Sequence, residues 1–217
     1  MAIKTLLVED HQIVRVGLHK LLDAEETIEV VAEAQNGREA LALAKAHDLD
    51  LVIMDVEMPS LNGVDATQQL LEAHPRLKVI ALSMHTERPF VLGMMEAGAS
   101  GYVLKDAAWE ELVHAIELVM AGQTYLSPKV QGVVVESYRG LAQGSGADAP
   151  ERLSPREREV VQLLAEGLST KQIAEQLHLS PKTVETHRSR VMSKLDISNV
   201  AQLIRYAIRE GITSRDA

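Results

Sequence analysis

Short apolar runs alternate along the chain with stretches in which apolar residues recur every three or four positions, from residue 4 to residue 121. The runs at 4–8, 28–32, 51–54, 77–82 and 101–104 predict strands. The stretches between and after them predict helices over 12–24, 37–47, 64–74, 87–97 and 107–121. In the last of these, Trp109, Leu112, Val113, Ile116, Val119 and Met120 form one apolar stripe. A strand covered on both faces reads as an unbroken apolar run, and LVIM at 51–54 does so. Five such repeats predict an α/β fold over residues 1–122, a five-stranded parallel sheet doubly wound by helices.

The pattern then changes. Residues 123–151 read as a linker, whose 127–139 portion (SPKVQGVVVESYR) allows a short helix. Its end, LAQGSGADAP at 141–150, is small, flexible and aperiodic. From 152 to 217 only helices are signalled. Ser154-Pro155-Arg156-Glu157 and Ser169-Thr170-Lys171-Gln172 are capping boxes, while Ser180-Pro181 and Ser198-Asn199 mark two further starts. Gly167 and Gly211 stand where helices should stop. A small all-α domain of four helices is predicted. Helix 171–177, a tight turn at His178-Leu179 and helix 181–195 have helix-turn-helix proportions.

Composition narrows the function classes. Hydrophobic residues make up 46% and charged residues 24%, an ordinary globular balance. No apolar run exceeds about five residues, against the roughly 20 that a membrane-spanning helix needs. The chain has no cysteine, which excludes disulfides, thiolate zinc sites and cysteine nucleophiles. Met1 leads directly into a strand-like run without a basic and apolar leader, so a cytoplasmic place is expected, with no membrane partner. The net charge of −9 is unevenly spread: residues 1–150 carry 11 basic against 22 acidic side chains, and 151–217 carry 11 against 9. The acidic part argues against uniform nucleic-acid binding, whereas the basic tail offers a local footprint. The eight histidines show no metal-ligand spacing, so no zinc is assigned.

In open parallel sheets ligands bind beyond the carboxyl ends of the strands. The first run is followed by Glu9-Asp10, the third by Asp55, the fourth by Ser83 and the fifth by Lys105. Three carboxylates, a hydroxyl and an ammonium are thus expected at one edge. Crowded carboxylates raise one another's pKa unless a cation neutralises them, and a hard divalent ion with oxygen ligands suits the set. Lys105 offers a point charge for a phosphate oxygen and Ser83 a hydroxyl donor. Asp55 can act as a nucleophile that carries a phosphoryl group as an acyl phosphate. The assembled chemistry is phosphoryl transfer onto Asp55.

These residues sit in LLVEDH, VIMDVEMPSLNG, VIALS and GYVLKD, which together resemble the receiver domain of two-component response regulators over about residues 3–122. The resemblance implies a flavodoxin-like fold in which Asp55 accepts phosphate from a sensor histidine kinase. It also implies Mg2+, with Mn2+ as a substitute, held by Glu9, Asp10, Asp55 and the backbone carbonyl of Glu57. By the same resemblance Ser83 and Lys105 contact the phosphoryl group, Pro59 shapes the loop after the acceptor and Tyr102 is the switch aromatic. Glu57 and His85 stand at positions that tune acyl-phosphate lifetime in that family.

The segment LSPREREVVQLLAEGLSTKQIAEQLHLSPKTVETHRSRVMSKL resembles the LuxR-type DNA-binding domain of NarL/FixJ regulators, over about 152–212. At about 100° per residue, Val184, His187, Val191 and Leu195 share the inward stripe of the second helix. Lys182, Thr186, Ser189 and Ser193 lie opposite, flanked by Thr183, Glu185 and Arg190. Glu185, Thr186 and Ser189 are expected to read base edges of double-stranded DNA, the positions that family uses. Lys182, Arg188, Arg190 and Lys194 are expected to touch phosphates.

The expected function is a phosphorylation-controlled transcription regulator, not an enzyme, in which phosphorylation of Asp55 promotes homodimerisation, releases the helix-turn-helix domain, or both, with RNA polymerase as a further partner. An aspartate-nucleophile phosphatase is the enzyme alternative, and Asp55-Val56-Glu57 lacks the second aspartate it would need as acid and base. The other alternative is a phosphorylation-independent DNA-binding regulator that uses the first domain as an interaction module.

Overall fold

A computed structural model of the chain describes residues 2–142 and 153–213. They form two compact units that part after Ser137. The first contains β1 (Ile3–Val8), α1 (Gln12–Asp23), β2 (Ile28–Ala34), α2 (Gly37–Ala46), β3 (Leu51–Asp55), α3 (Gly63–Ala73), β4 (Lys78–Ser83), α4 (Arg88–Glu96), β5 (Gly101–Leu104) and α5 (Trp109–Met120). The five predicted repeats are all present. Every pairing is parallel, and the order β2-β1-β3-β4-β5-β6 includes a sixth strand, β6 (Tyr125–Leu126).

The sheet separates two apolar layers by strict alternation. Leu6, Val8, Val52, Met54, Val79, Ala81, Tyr102 and Leu104 face one layer, shared with Leu61, Leu70 and Val91. Leu7, Leu51, Ile53, Ile80, Leu82 and Val103 face the other, shared with Leu22, Leu112, Ala115 and Ile116 of α1 and α5. Side chains that alternate along each strand therefore bury both faces, which is why LVIM at 51–54 and VIAL at 79–82 are unbroken apolar runs.

Two corrections concern the linker. The predicted five-stranded sheet has six strands among the described residues, because Tyr125 and Leu126 pair with Gly101 and Tyr102. The sheet then passes into α6 (Pro128–Ala142), where Val130 is fully buried and Val133 and Val134 pack on the same core. Ser127 fixes this junction: its hydroxyl accepts from the Leu104 amide at 3.2 Å and donates to Glu111. Arg88 on α4 donates to Ser137 at 3.1 Å further along. Residues 123–137 thus belong to the first unit instead of to a linker. Of the stretch 141–150, Leu141 and Ala142 end α6 and residues 143–150 lie outside the described residues.

The loop after β3 is tied down where chemistry is expected. Asn62 caps α3 by accepting from the Asp65 amide, and the Gly63 amide donates to the Val56 carbonyl at 2.9 Å. A Cβ at Gly63 would lie 2.1 Å from the Asp55 carbonyl oxygen and 2.9 Å from Val56 Cα, so only glycine allows this approach. Gly63→Ala is expected to destabilise the first unit by more than about 2 kcal/mol and to displace Asp55, measured by denaturant melts and by loss of divalent-cation binding.

The second unit holds α7 (Pro155–Ala165), α8 (Thr170–Gln176), α9 (Pro181–Lys194) and α10 (Val200–Arg209). Both predicted capping boxes form, Ser154 with Glu157 and Ser169 with Gln172. Asn199 caps α10 by accepting from Gln202. The turn between α8 and α9 takes His178 to φ 52°, and the Leu179 amide bonds back to the Ala174 carbonyl at 2.8 Å. Val160, Val161, Leu163, Ile173, Val184, Val191, Leu203 and Ala207 fill the core between the four helices. Among the described residues no helix is long and apolar enough to cross a membrane.

Candidate functional site

The strand ends bring the predicted groups together. Glu9 follows β1 and is 1% exposed, Asp55 ends β3 at 3%, and Ser83 ends β4 at 1%. Lys105 follows β5 and reaches across the edge, with Nζ 2.7 Å from Asp55 Oδ2 and 2.7 Å from Glu9 Oε2. Asp10 lies at the mouth. Glu9, Asp10, His11 and Asp55 each offer a ligand atom within 4.8 Å of the others. His11 is the member that sequence reasoning missed; its Nδ1 is 2.8 Å from Asp10 and 3.2 Å from Glu9. The only signal for it was its place directly after Glu9-Asp10.

Electrostatics make this pocket unfinished. Burial pushes Asp55 up from 3.8 to about 7, aided by Glu9 and Asp10 and opposed by Lys105. Burial pulls Lys105 down, but Asp55 and Glu9 outweigh it and leave the ammonium raised. One lysine thus offsets three carboxylates. Glu9 Oε2 and Asp10 Oδ1 are buried and accept no hydrogen bond, although Lys105 and His11 stand close to them. Buried carboxylate oxygens met by one lysine and one histidine and left with a net negative charge fit an oxygen-liganded divalent cation. Arg15 braces the turn from below: its Nη1 donates to the Glu9 carbonyl at 2.6 Å while its Nε pairs with Glu33 at 3.0 Å.

A latch joins the loops after β3 and β4. The Glu57 amide donates to Asp55 Oδ1 at 3.3 Å, and the Glu57 side chain meets the His85 ring. The His85 amide donates to Ser83 Oγ at 3.1 Å, its carbonyl accepts from the Tyr102 hydroxyl at 2.8 Å, and its ring stacks 4.1 Å from Phe90. Tyr102 is fully buried, and burial raises its phenol against the opposing hydrogen bond of Ser83. The loop bearing Ser83 is therefore pinned to Asp55 on one side and to β5 on the other. Pro59 sits in the intervening turn, where its carbonyl accepts from the Leu61 amide at 2.9 Å and Ser60 adopts φ 74°.

In the second unit α9 divides as its periodicity predicts. Val184 and Val191 are fully buried, Leu195 packs on the same core, and His187 is half-buried. Lys182, Glu185, Thr186, Ser189, Arg190 and Ser193 line one shallow depression open to solvent. Thr183 is half-buried and its hydroxyl lies 2.8 Å from that of Ser180. Arg188 is half-buried, 3.7 Å from Glu185. Lys194 is placed apart from the others: its Nζ is 3.0 Å from Glu157, the buried member of the first capping box. Burial acts to raise Glu157, but its bonds with Ser154 and Lys194 prevail and lower it.

Lys194 thus holds an ion pair within its own domain. Lys194→Gln is expected to cost about 1–3 kcal/mol in denaturant melts at pH 7, by taking the paired cation from Glu157 and leaving it only its Ser154 partners. The loss shrinks as pH falls below 4.5, because Glu157 is lowered in the fold and its pair contributes only while it is ionised. A phosphate contact would instead reduce the salt slope of duplex binding by about one.

Comparison with known proteins agrees with both units. The family model of the response regulator receiver domain matches residues 5–117, and that of bacterial regulatory proteins, luxR family, matches 151–207. The response regulator GacA of Pseudomonas syringae pv. syringae (strain B728a) is 38% identical over 99% of this chain and 100% of its own. The response regulator UvrY of Escherichia coli (strain K12) is 36% identical over 99% of this chain and 97% of its own. RcsB from Salmonella enterica serovar Typhimurium, solved bound to promoter P1flhDC in the presence of phosphomimetic BeF3-, covers 98% of this chain and 100% of its own at 26% identity and a TM-score of 0.62. An acidic edge completed by one lysine, followed by a helix-turn-helix with an open polar face, thus places the chain in a family: it belongs to the DNA-binding response regulators of the NarL/FixJ type, which join a receiver domain to a LuxR-type helix-turn-helix domain.

Proposed function

We propose that phosphorylation of Asp55 by a sensor histidine kinase switches this regulator between two DNA-binding states. The observation that carries the reading is Lys105, whose ammonium bridges Asp55 and Glu9 in an otherwise anionic pocket. A carboxylate oxygen of Asp55 attacks the phosphorus of the kinase phosphohistidine. The phosphorus–nitrogen bond breaks, and the imidazole leaves with the electron pair and takes a proton from solvent. Lys105 exchanges its carboxylate contact for a phosphoryl oxygen, and the Ser83 hydroxyl donates to another. Glu9, Asp10, Asp55 and the Glu57 carbonyl would hold Mg2+, or Mn2+ in its place, which when bound offsets charge on the phosphoryl oxygens. The chain modifies itself and returns phosphate to water; it turns over no other substrate.

The acyl phosphate adds roughly −1.5 to −2 charge at Asp55. Ser83 moves towards it, and the His85 latch passes that movement to Tyr102. The modified form pairs as a homodimer and sets two α9 helices on two half-sites of double-stranded DNA, where RNA polymerase is engaged. A cytoplasmic place goes with this role. The promoter-bound RcsB with its phosphomimetic supports the reading. A DNA-selection assay on the full chain, with and without acetyl phosphate, tests it. Enrichment of a two-fold site that strengthens at least about tenfold with phosphodonor is expected. Equal enrichment in both arms would favour a phosphorylation-independent regulator.

The raised Asp55 carboxyl also sets a pH dependence. Because its proton competes with the cation, Mg2+ affinity should climb by up to about tenfold per pH unit towards pH 7 and flatten above it. Isothermal titration calorimetry from pH 5.5 to 8.5 reads this directly.

A further inference from the structure

The open face of α9 carries an acidic residue among its basic ones. Glu185 is exposed and lines the same depression as Lys182, Thr186, Ser189 and Arg190. A carboxylate there repels phosphate, so its place on a duplex-facing surface calls for another function. Nor is the side chain free to swing away. The hydroxyl of Thr170, the first residue of α8, donates to Glu185 Oε1 at 2.6 Å. On the other oxygen, Arg188 Nη1 stands 3.7 Å from Oε2. Thr170 is itself fixed, since the residue before it, Ser169, closes a capping box with Gln172. The rotamers of a long flexible side chain are thus restricted before any ligand arrives, which removes part of the ordering cost of binding.

We propose that Thr170 is a positioning residue for sequence reading, which presets the Glu185 carboxylate as an acceptor for the exocyclic amino group of cytosine. The inference rests on the reading of this unit as a duplex binder and adds the residue that orients its acidic reader. A carboxylate only accepts hydrogen bonds. In the major groove cytosine offers an amino donor, whereas guanine offers two acceptors, O6 and N7, that would face the fixed negative charge unpaired. Selection is therefore by exclusion of guanine as much as by attraction of cytosine. Thr170 reads no base; it keeps the acceptor on the α8 side of its helix.

The test is DNA selection followed by affinity measurements at several salt concentrations, on the full chain and on Thr170→Ser, Thr170→Val and Glu185→Ala. The unaltered chain and Thr170→Ser should share a cytosine preference of roughly tenfold at one position of each half-site. Thr170→Val should reduce it to about twofold at that position alone and leave the salt slope unchanged. In the Glu185→Ala background, Thr170→Val should add nothing, which reads the pair as coupled even if one single variant is poorly folded. A uniform loss of affinity with a shallower salt slope would make Thr170 a phosphate contact and overturn the proposal, as would an unchanged base preference. If the unaltered chain enriches no sequence, the duplex-binding reading itself fails, and the inference falls with it.

Discussion

Lys105→Ala costs the metal-free chain about 3–5 kcal/mol of stability at pH 8, the largest effect expected of any single substitution in the pocket. The reason is what it leaves behind. Asp55 and Glu9 are 3% and 1% exposed, and the Lys105 ammonium lies 2.7 Å from both. Without it two buried carboxylates face each other with no counter-charge from that side. The cost should shrink at pH 5, where Asp55, whose carboxyl is already pushed up to about 7, takes a proton. It should shrink again when millimolar Mg2+ is added at pH 8. Urea melts at the two pH values, with chelator and with Mg2+, give the comparison. A flat response to both variables would mean that Lys105 contributes packing and not charge.

Asp55→Asn moves stability the other way. Burial, Glu9 and Asp10 together outweigh Lys105, so the folded state binds the Asp55 proton more tightly than the unfolded chain does. The sign follows. Below 3.8 both states are protonated and the substitution is nearly neutral; between 3.8 and about 7 the unfolded chain has lost the proton that the fold keeps, at a cost that grows with pH; above about 7 that penalty is complete. Asparagine keeps the shape without the charge. A gain of about 2–4 kcal/mol is expected at pH 8 in chelator, less whatever Lys105 loses by keeping only Glu9. On the proposed reading the stabilised variant lacks the phosphoacceptor, so stability and function part at this residue, as they do where a costly site is kept for its chemistry. Melts at pH 4 and pH 8 check it, and a gain of equal size at both would contradict the electrostatic account.

The pocket was legible because each of its parts ends a buried run. Asp55, Ser83 and Lys105 are the first polar residues after five apolar positions or fewer, and a parallel sheet brings such positions to one edge whatever the connections. The inward stripe of α9 was legible for a similar reason: Val184 and Val191 are seven apart, two turns of one face. Features of pair geometry were not. Nothing in the order of residues says that Lys194 turns towards Glu157, 37 positions earlier, or that Thr170 reaches Glu185 across the turn. β6 escaped because two residues carry no periodicity; Tyr125 and Leu126 are a strand only through the neighbouring edge of β5. The α6 helix was visible as a valine-rich stretch, but which valines were core depended on the docking of Ser127 between Leu104 and Glu111.

The proposed switch has a physical path within the first unit. Asp55 meets the Glu57 amide, Glu57 meets His85, and His85 holds both Ser83 and Tyr102. One link joins the loops after β3 and β4 and another joins the second loop to the buried strand β5, and under the proposed switch each would be rearranged by a phosphoryl group on Asp55. β5 also carries β6 and the start of α6, so a shift at Tyr102 meets the segment that leads towards the DNA-binding unit.

Intact-mass spectrometry of the chain after incubation with acetyl phosphate, with Mg2+ and with chelator, tests the central claim most directly. One added phosphoryl group is expected, located on Asp55 after borohydride trapping, present with Mg2+ and absent from Asp55→Asn. An adduct on another residue, or an equal yield in chelator, would contradict it.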